Sequence, residues 1–179
     1  DPIDPVGLPT SRCKDNAPVP SPLIFMRLGG DSMTANYTPD ANNNYLLLQS
    51  TKSQYLDTGR TIVPESGDFT VSVWAKTNSA IGRYAEIVSQ GYSSPTGFYI
   101  GFDPNGFIRV GDSWYPTKAK FPADNQWHNI QVVKQGNSGF LYVDGLLLDT
   151  KIGLRNPKGG TGFRIGQQFM NGNLSLIHI

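Results

Sequence analysis

Two glycine-containing turns, placed between three short runs of β-favouring residues, constrain the fold of this chain more than any other feature. Residues 127–134 are rich in Ile and Val, whose branched side chains favour a pleated strand. A polar turn at 135–139 and a second predicted strand at 140–143 follow. Asp144-Gly145 then predicts a type I′ hairpin turn, because both central positions of that turn need a positive φ. With a third strand at 146–148, the stretch predicts an antiparallel meander, since its loops are too short for parallel crossovers.

Several stretches resemble, in the right order, the strands of one known family. They are SQYLD at 53–57, GDFTVSVWAK at 67–76, WHNIQVV at 127–133 with FLYVDG at 140–145, and FRIG at 163–166. On these motifs the chain is similar to the laminin G-like jelly rolls of the concanavalin A-like lectin and glucanase group, over about residues 23–172. The resemblance implies an all-β fold, a two-sheet antiparallel β-sandwich. Roughly a dozen short predicted strands and no amphipathic helix agree with that fold.

The chain divides into a proline-rich start and one domain. Residues 1–21 carry five prolines among small polar residues, which predicts an extended linker or tail. Residues 22–179 are long enough for one laminin G-like jelly-roll domain. The closing LSLIHI at 174–179 also matches the translation of a transposon end common in sequencing libraries, so it is either read-through or an apolar closing strand. Cys13 is the single cysteine, which excludes a disulfide within the chain.

Composition excludes two classes of partner. The net charge is +1 and Lys and Arg form no cluster, so nucleic acid is not an expected ligand. No run of 18 apolar residues occurs, and no membrane span is predicted. Charged residues make up 16% of the chain, below the usual ~25%, and glycine is plentiful, as is typical of turn-rich β proteins. The resemblance implies a secreted or cell-surface location, in a module cut from a larger protein.

The acidic residues do not form the catalytic pattern of glucanases with this fold. Retaining glucanases need two carboxyl groups about 5–5.5 Å apart, which related sequences supply from one strand. The two glutamates, Glu65 and Glu86, have no acidic partner at a suitable spacing. His128 lies in a predicted strand and is interpreted as a structural histidine. No nucleophile-elbow, zincin or zinc-ribbon motif occurs, so we expect that the chain is not an enzyme.

A metal site is implied by the resemblance alone. Many laminin G-like modules hold one Ca²⁺ ion at the rim of the sandwich, with carboxylate and carbonyl oxygens as ligands. Asp31 falls near the matching early loop and is the candidate calcium ligand. The closing strand of this chain carries no Asp or Glu, so the second acid of the family pattern is missing.

A sugar site needs an aromatic ring for the apolar sugar face and polar groups for the hydroxyls. Trp114 and Tyr115 follow a Gly-Asp-Ser turn and precede a proline, so we expect them to form an exposed platform with Asp112 beside it. Tyr92, with Tyr84, is a second-rank ligand-binding candidate.

The other two tryptophans lie in strand signatures. Trp74 belongs to the predicted strand at 68–76, in which Phe69, Val71 and Val73 alternate with Trp74 and polar residues. Trp127 opens the central meander. Both tryptophans are expected to pack in the core.

Together these features predict a non-catalytic, lectin-like carbohydrate-binding module of a larger extracellular protein. Its expected partners are a glycan or cell-surface polysaccharide and the other domains of the parent protein. The alternative is a protein-interaction, structural or adhesion module without sugar affinity. Exposure of Trp114 and Tyr115 on a face where polar groups converge would favour the first function. A degenerate glucanase is disfavoured by the number and spacing of the glutamates.

Overall fold

The computed structural model of the protein describes residues 34–35, 47–48, 55–77, 82–91, 96–111, 114–167 and 177–178. In this part of the chain there is no helix long and apolar enough to cross a membrane. The described strands are β1 (Thr34–Ala35), β2 (Leu47–Leu48), β3 (Leu56–Asp57), β4 (Phe69–Ala75), β5 (Ala85–Gly91), β6 (Gly97–Phe102), β7 (Ile108–Val110), β8 (His128–Gln135), β9 (Ser138–Val143), β10 (Leu146–Ile152), β11 (Thr161–Ile165) and β12 (Ile177–His178).

The strands form two main antiparallel sheets and one short pair. The larger sheet has six strands in the order β1-β3-β11-β5-β6-β7, and the smaller has four in the order β10-β9-β8-β4. Strand β12 pairs with β2. Consecutive strands pair within β5-β6-β7 and β8-β9-β10, whereas β4 reaches β8 across the intervening chain. The predicted all-β, two-sheet antiparallel sandwich of the concanavalin A-like kind is confirmed.

The central meander is confirmed, with a tighter first turn than predicted. Strand β8 runs through Gln135 and β9 begins at Ser138, so the turn consists of two residues and not five. At the second turn Asp144 has a φ of 51° and Gly145 a φ of 78°, as a type I′ turn requires. Strand β10 continues to Ile152. Its pairing with β9 shifts by one residue between Leu147 and Asp149, because these two residues pair with Tyr142 and Leu141, which are consecutive.

Strand β4 alternates as predicted, but its tryptophan faces the solvent. Phe69, Val71 and Val73 lie on the partly buried side, and Ala75 is fully buried. Trp74 is on the opposite side and is 42% exposed, so the expectation that it packs in the core is wrong. Successive side chains of a strand point to opposite faces, and the valines occupy the face toward the core. Trp127 is half-buried, with the ammonium of Lys76 5.6 Å from its ring centroid.

The core lies between the two main sheets and joins them through large apolar side chains. Phe98 of β6 is fully buried and meets Phe69 of β4 edge to face, with ring centroids 5.3 Å apart. Removing a side chain of this size from water contributes roughly 1.5–3 kcal/mol. Other fully buried members come from both sheets: Ile100, Phe102, Ile108, Val110, Ile130, Val132 and Leu141. The opposite face of the six-stranded sheet therefore carries the polar and aromatic residues.

Both chain ends remain matters of prediction. The linker predicted at residues 1–21 lies outside the described residues. Within the segment 174–179, strand β12 pairs antiparallel with β2 through Ile177 and Leu48 and through His178 and Leu47. Sequencing the source locus beyond the codon for Asn173 would test the read-through hypothesis.

Candidate functional site

Trp114 is buried, and the prediction that it forms an exposed platform is wrong. The residue is 3% exposed, and its backbone bridges to Val110 at the end of β7. Its indole Nε1 donates a hydrogen bond to Oδ2 of Asp149 at 3.2 Å. A Cβ placed on Gly139 of β9 would lie 2.9 Å from Cζ3 of Trp114. Because this position has no side chain, the indole ring packs against the four-stranded sheet.

Two exposed tyrosines form the aromatic surface near this point of the chain. Tyr84 and Tyr115 are 40% and 47% exposed, their hydroxyl oxygens are 3.1 Å apart, and their ring centroids are 6.2 Å apart. The hydrogen bond with Tyr84 raises the pKa of Tyr115 above its ordinary value, so the phenol is neutral at physiological pH. Of the other predicted ligand-binding residues, Asp112 and Tyr92 lie outside the described residues.

An arginine lies against the tyrosine pair. The guanidinium carbon of Arg109 is 4.6 Å from the ring centroid of Tyr84, 5.3 Å from that of Tyr115 and 4.7 Å from that of the buried Tyr99. A guanidinium this close to a ring face is attracted by its quadrupole. Three rings therefore hold one nearly buried cation and fix the orientation of the exposed tyrosines.

A buried carboxyl group completes the cluster. Glu86 of β5 pairs across the sheet with Gly101 of β6, and Gly101 pairs with Arg109 of β7. A Cβ on Gly101 would lie 2.4 Å from the carbonyl oxygen of Ala85 and 3.2 Å from Cδ of Glu86. Because the middle strand has a glycine here, the side chains of its neighbours meet over it. Arg109 donates to Oε1 of Glu86 at 2.9 Å.

The carboxyl group of Glu86 is balanced between its neutral and ionised forms. Burial raises its pKa to about 7, and the charge and hydrogen bond of Arg109 oppose that rise. Among the described residues, Oε2 of Glu86 and Nε of Arg109 have no hydrogen-bond partner, although both atoms are buried. The cluster thus holds unused hydrogen-bonding capacity next to its exposed rings.

We call Tyr84, Glu86, Tyr99, Arg109 and Tyr115 the tyrosine–arginine cluster. The two exposed rings offer apolar faces of the size of a sugar ring, and their hydroxyls are oriented by a mutual hydrogen bond. The sequence motifs identified Tyr115 and, in second rank, Tyr84, but missed Arg109 and Glu86. The available signal was one charged residue in each of the two strands that flank β6.

His128 has the structural role that was expected of it. Its Nδ1 is 2.7 Å from Oδ2 of Asp144, its Nε2 is 3.0 Å from Oδ1 of Asp124, and its ring meets Phe121 edge to face. Burial by itself would lower its pKa, but hydrogen bonds to the two aspartates outweigh this and raise it. Asp144 also accepts a hydrogen bond from the backbone of Asn129. The contacts of His128 and Asn129 with Asp144 therefore tie the meander's second turn to the start of β8.

The candidate calcium ligand, Asp31, lies outside the described residues, and calcium binding stays a prediction. Within the described ranges, no group of three or more His, Cys, Asp or Glu side chains is placed to hold a metal ion.

Comparison with known proteins identifies the family. Residues 50–176 match a laminin G-type family model described as the concanavalin A-like lectin/glucanases superfamily. The chain therefore belongs to this superfamily, in which it is a laminin G-like domain. A search of curated proteins found no match.

Two solved structures share the fold of this chain. One is domain 4 of AbnA, an extracellular GH43 arabinanase from Geobacillus stearothermophilus, in complex with arabinotriose. Its TM-score is 0.57 at 17% identity, covering 84% of this chain and 73% of that one. The other is the mouse laminin α1 chain, domains LG4-5, with a TM-score of 0.52 at 10% identity, covering 69% of this chain and 36% of that one. The chain thus spans about a third of the laminin fragment, and at these identities the likeness shows the fold alone.

Proposed function

We propose that this domain is a non-catalytic carbohydrate-binding module of a larger secreted or cell-surface protein, and that the tyrosine–arginine cluster is its glycan site. The observation that carries the proposal is the exposed pair Tyr84 and Tyr115, supported from beneath by Arg109. Sugars are recognised by aromatic rings that cover their apolar faces and by a few convergent polar groups. The cluster combines both features on the face of the six-stranded sheet that points away from the core.

The placement of the glutamates supports a binding role over a hydrolytic one. Glu86 is fully buried and ion-paired with Arg109. Glu65 lies in the loop before β4, where its carboxylate accepts a hydrogen bond from the backbone of Gly159. The two glutamates therefore occupy different environments on different elements, whereas glycoside hydrolysis needs two carboxyl groups flanking one bond.

A glycan array followed by calorimetry tests the proposal. Arabinotriose is a reasonable first soluble probe, because the arabinanase domain of the same fold was solved with it. We expect Tyr115→Ala to weaken binding about tenfold or more, which corresponds to the loss of about 1.4 kcal/mol. Tyr115→Phe keeps the ring and should retain most of the affinity.

Trp74→Ala is the matched control, because it removes an exposed aromatic ring from the other sheet. If Trp74→Ala abolishes binding and Tyr115→Ala does not, the site assignment is wrong. Runs with calcium and with EDTA test the expected ion and its candidate ligand Asp31. Absence of binding to any glycan by the folded protein would contradict the proposed function.

The second candidate function is self-association through strand β10. This strand is an edge of the four-stranded sheet, and it exposes Leu146 at 66% and Ile152 at 72%. Exposed edges with apolar side chains can pair with an identical edge. Analytical ultracentrifugation of the wild type and of Ile152→Lys tests it: a concentration-dependent dimer that the lysine abolishes would support this function, and a monomer at all concentrations would exclude it.

A further inference from the structure

A second concave region lies at one end of the sandwich, and we call it the rim cleft. It is an open depression of about 490 Å³ between the loop before β4, the β8–β9 turn and the loop that follows β10. Its lining includes Glu65, Lys134, Asn137, Arg155 and Lys158, together with the buried apolar residue Leu154. A volume in this range is typical of small-molecule sites and exceeds what a bare inorganic ion fills.

The unusual member of the rim cleft is Lys134. It continues the core-facing row of Ile130 and Val132 on β8 and is 8% exposed. Its ammonium donates to the backbone carbonyl oxygens of Gly67, at 3.4 Å, and Gly136. No carboxylate of the described residues forms an ion pair with it. Buried lysines are rare without an anionic partner, because desolvation of the charge has to be offset.

Two acidic side chains of the loop before β4 accept hydrogen bonds from backbone N–H groups. Oδ1 of Asp68 accepts the backbone N–H of Gly136 at 2.7 Å, and Oε1 of Glu65 accepts that of Gly159 at 3.0 Å. Three cationic side chains thus line the cleft against one carboxylate. The hydroxyl oxygen of Thr96, a further lining residue, is buried and has no hydrogen-bond partner among the described residues.

We propose that the rim cleft binds an oxyanion carried by an acidic sugar, with the ammonium of Lys134 as the central contact. The anion supplies the negative charge that no ion pair among the described residues gives to Lys134. Arg155 and Lys158, both exposed, attract the ligand at the mouth of the cleft, and the remaining volume receives the sugar ring over Leu154. Charge-assisted hydrogen bonds of this kind are about twice as strong as neutral ones. This site shares no residue with the tyrosine–arginine cluster, and the choice of a sugar as its ligand rests on the proposed function.

The oxyanion can be the carboxylate of a uronic acid or a sulfate ester, and the experiment separates these sources. Calorimetry would compare oligogalacturonate, its neutral methyl ester, a sulfated oligosaccharide of equal length and inorganic sulfate. We expect the better of the two acidic oligosaccharides to bind at least tenfold more tightly than the methyl ester and than inorganic sulfate. The proposal would be overturned if the methyl ester or inorganic sulfate bound as tightly as the better of the two acidic oligosaccharides.

Variants locate the site. Lys134→Met removes the buried charge with little change of shape and should weaken binding of the acidic oligosaccharide at least tenfold. Lys76→Met is the matched control and should bind normally. Lys76 follows β4 at the end away from Gly67, nine residues along the chain, or roughly 30 Å at about 3.3 Å per residue. Equal losses in both variants would mean non-specific charge attraction and would refute the site.

Two further variants separate misfolding from loss of the site and keep the two proposals distinguishable. The variant Lys158→Gln changes one exposed residue and should weaken binding severalfold while the melting temperature stays the same. Comparing the loss of oligogalacturonate affinity in Tyr115→Ala with the loss in Lys134→Met shows which of the two sites binds the acidic sugar. If Tyr115→Ala abolishes this affinity and Lys134→Met does not, acidic sugars bind at the tyrosine–arginine cluster and the rim cleft is not a site.

Discussion

The buried ion pair between Glu86 and Arg109 predicts a measurable loss in the free energy of unfolding when one of its partners is removed. In Arg109→Met, the carboxyl group of Glu86 stays fully buried and loses its 2.9 Å hydrogen bond and its counter-charge. Removing one partner of a buried ion pair typically costs about 3–5 kcal/mol. We expect a loss of that size in the free energy of unfolding at pH 8, where the carboxyl group of the wild type is mostly ionised.

The sign of the pH dependence follows from the direction of the pKa shift. Burial raises the pKa of Glu86 from its ordinary value of 4.5 to about 7, so the folded state binds this proton more tightly than the unfolded state does. Its contribution to stability is fully present below pH 4.5 and is lost as the pH rises through 7. Without Arg109 both opposing influences disappear and the pKa rises further. The loss in Arg109→Met should therefore be smaller at pH 5, because the neutral acid needs no counter-ion.

Chemical denaturation monitored by circular dichroism at pH 5 and pH 8 measures both free energies. The double variant Glu86→Gln/Arg109→Met removes both charges and should recover at least 1 kcal/mol of the loss at pH 8, as expected for strongly coupled neighbours. If Arg109→Met costs less than about 1 kcal/mol at pH 8 and shows no dependence on pH, the pair does not stabilise the sheet as argued. Binding of glycan by the double variant would then show whether the charges also matter for function.

Three further predictions concern single contacts. The two aspartates raise the pKa of His128. The contribution of this residue to folding stability is therefore present below about pH 6.5 and is lost as the pH rises through the higher pKa of the folded state. His128→Gln should cost more stability at pH 6 than at pH 9, and equal losses would refute this. Gly101→Ala places a Cβ 2.4 Å from the backbone oxygen of Ala85, so denaturation should show a loss of about 3 kcal/mol, and a neutral result would mean that β6 yields. Asp149→Ala leaves the indole N–H of Trp114 without its acceptor and should cost about 1–3 kcal/mol in the same assay, whereas an unchanged value would show that another group replaces it.

Much of the fold is predictable because its signals are local. Asp144-Gly145 can adopt positive φ at both positions, and this alone predicts a hairpin between β9 and β10. The alternation of Phe69, Val71 and Val73 identifies the face of β4 that points toward the core. The first turn of the meander was predicted too long, because Gln135 and Ser138 are polar yet pair across the strands. A polar side chain indicates that a position is exposed to solvent, but it does not show whether the backbone at that position pairs with a neighbouring strand.

The candidate site was predictable only in part. Tyr115 was identified from its local turn context. Trp114 beside it was predicted to be exposed but is buried, and Trp74 was predicted to be buried but is exposed. Which side of a strand or loop is covered depends on what packs against it. Gly139 accommodates the indole of Trp114, and nothing near Gly139 in the sequence points to Trp114.

The sequence by itself determined the class of this protein: an antiparallel β-sandwich with a meander closed by an Asp-Gly turn. Turn chemistry and alternating hydrophobicity act between neighbours along the chain, so they can be read without coordinates. Only the tertiary structure decided which groups meet. Glu86 and Arg109 come together because Gly101 separates them on the middle strand, and Lys134 is buried where Gly67 and Gly136 direct carbonyl oxygens toward its ammonium. Such contacts depend on strand register and on packing between distant segments, and that is why the chemistry of both proposed sites emerges only from the folded chain.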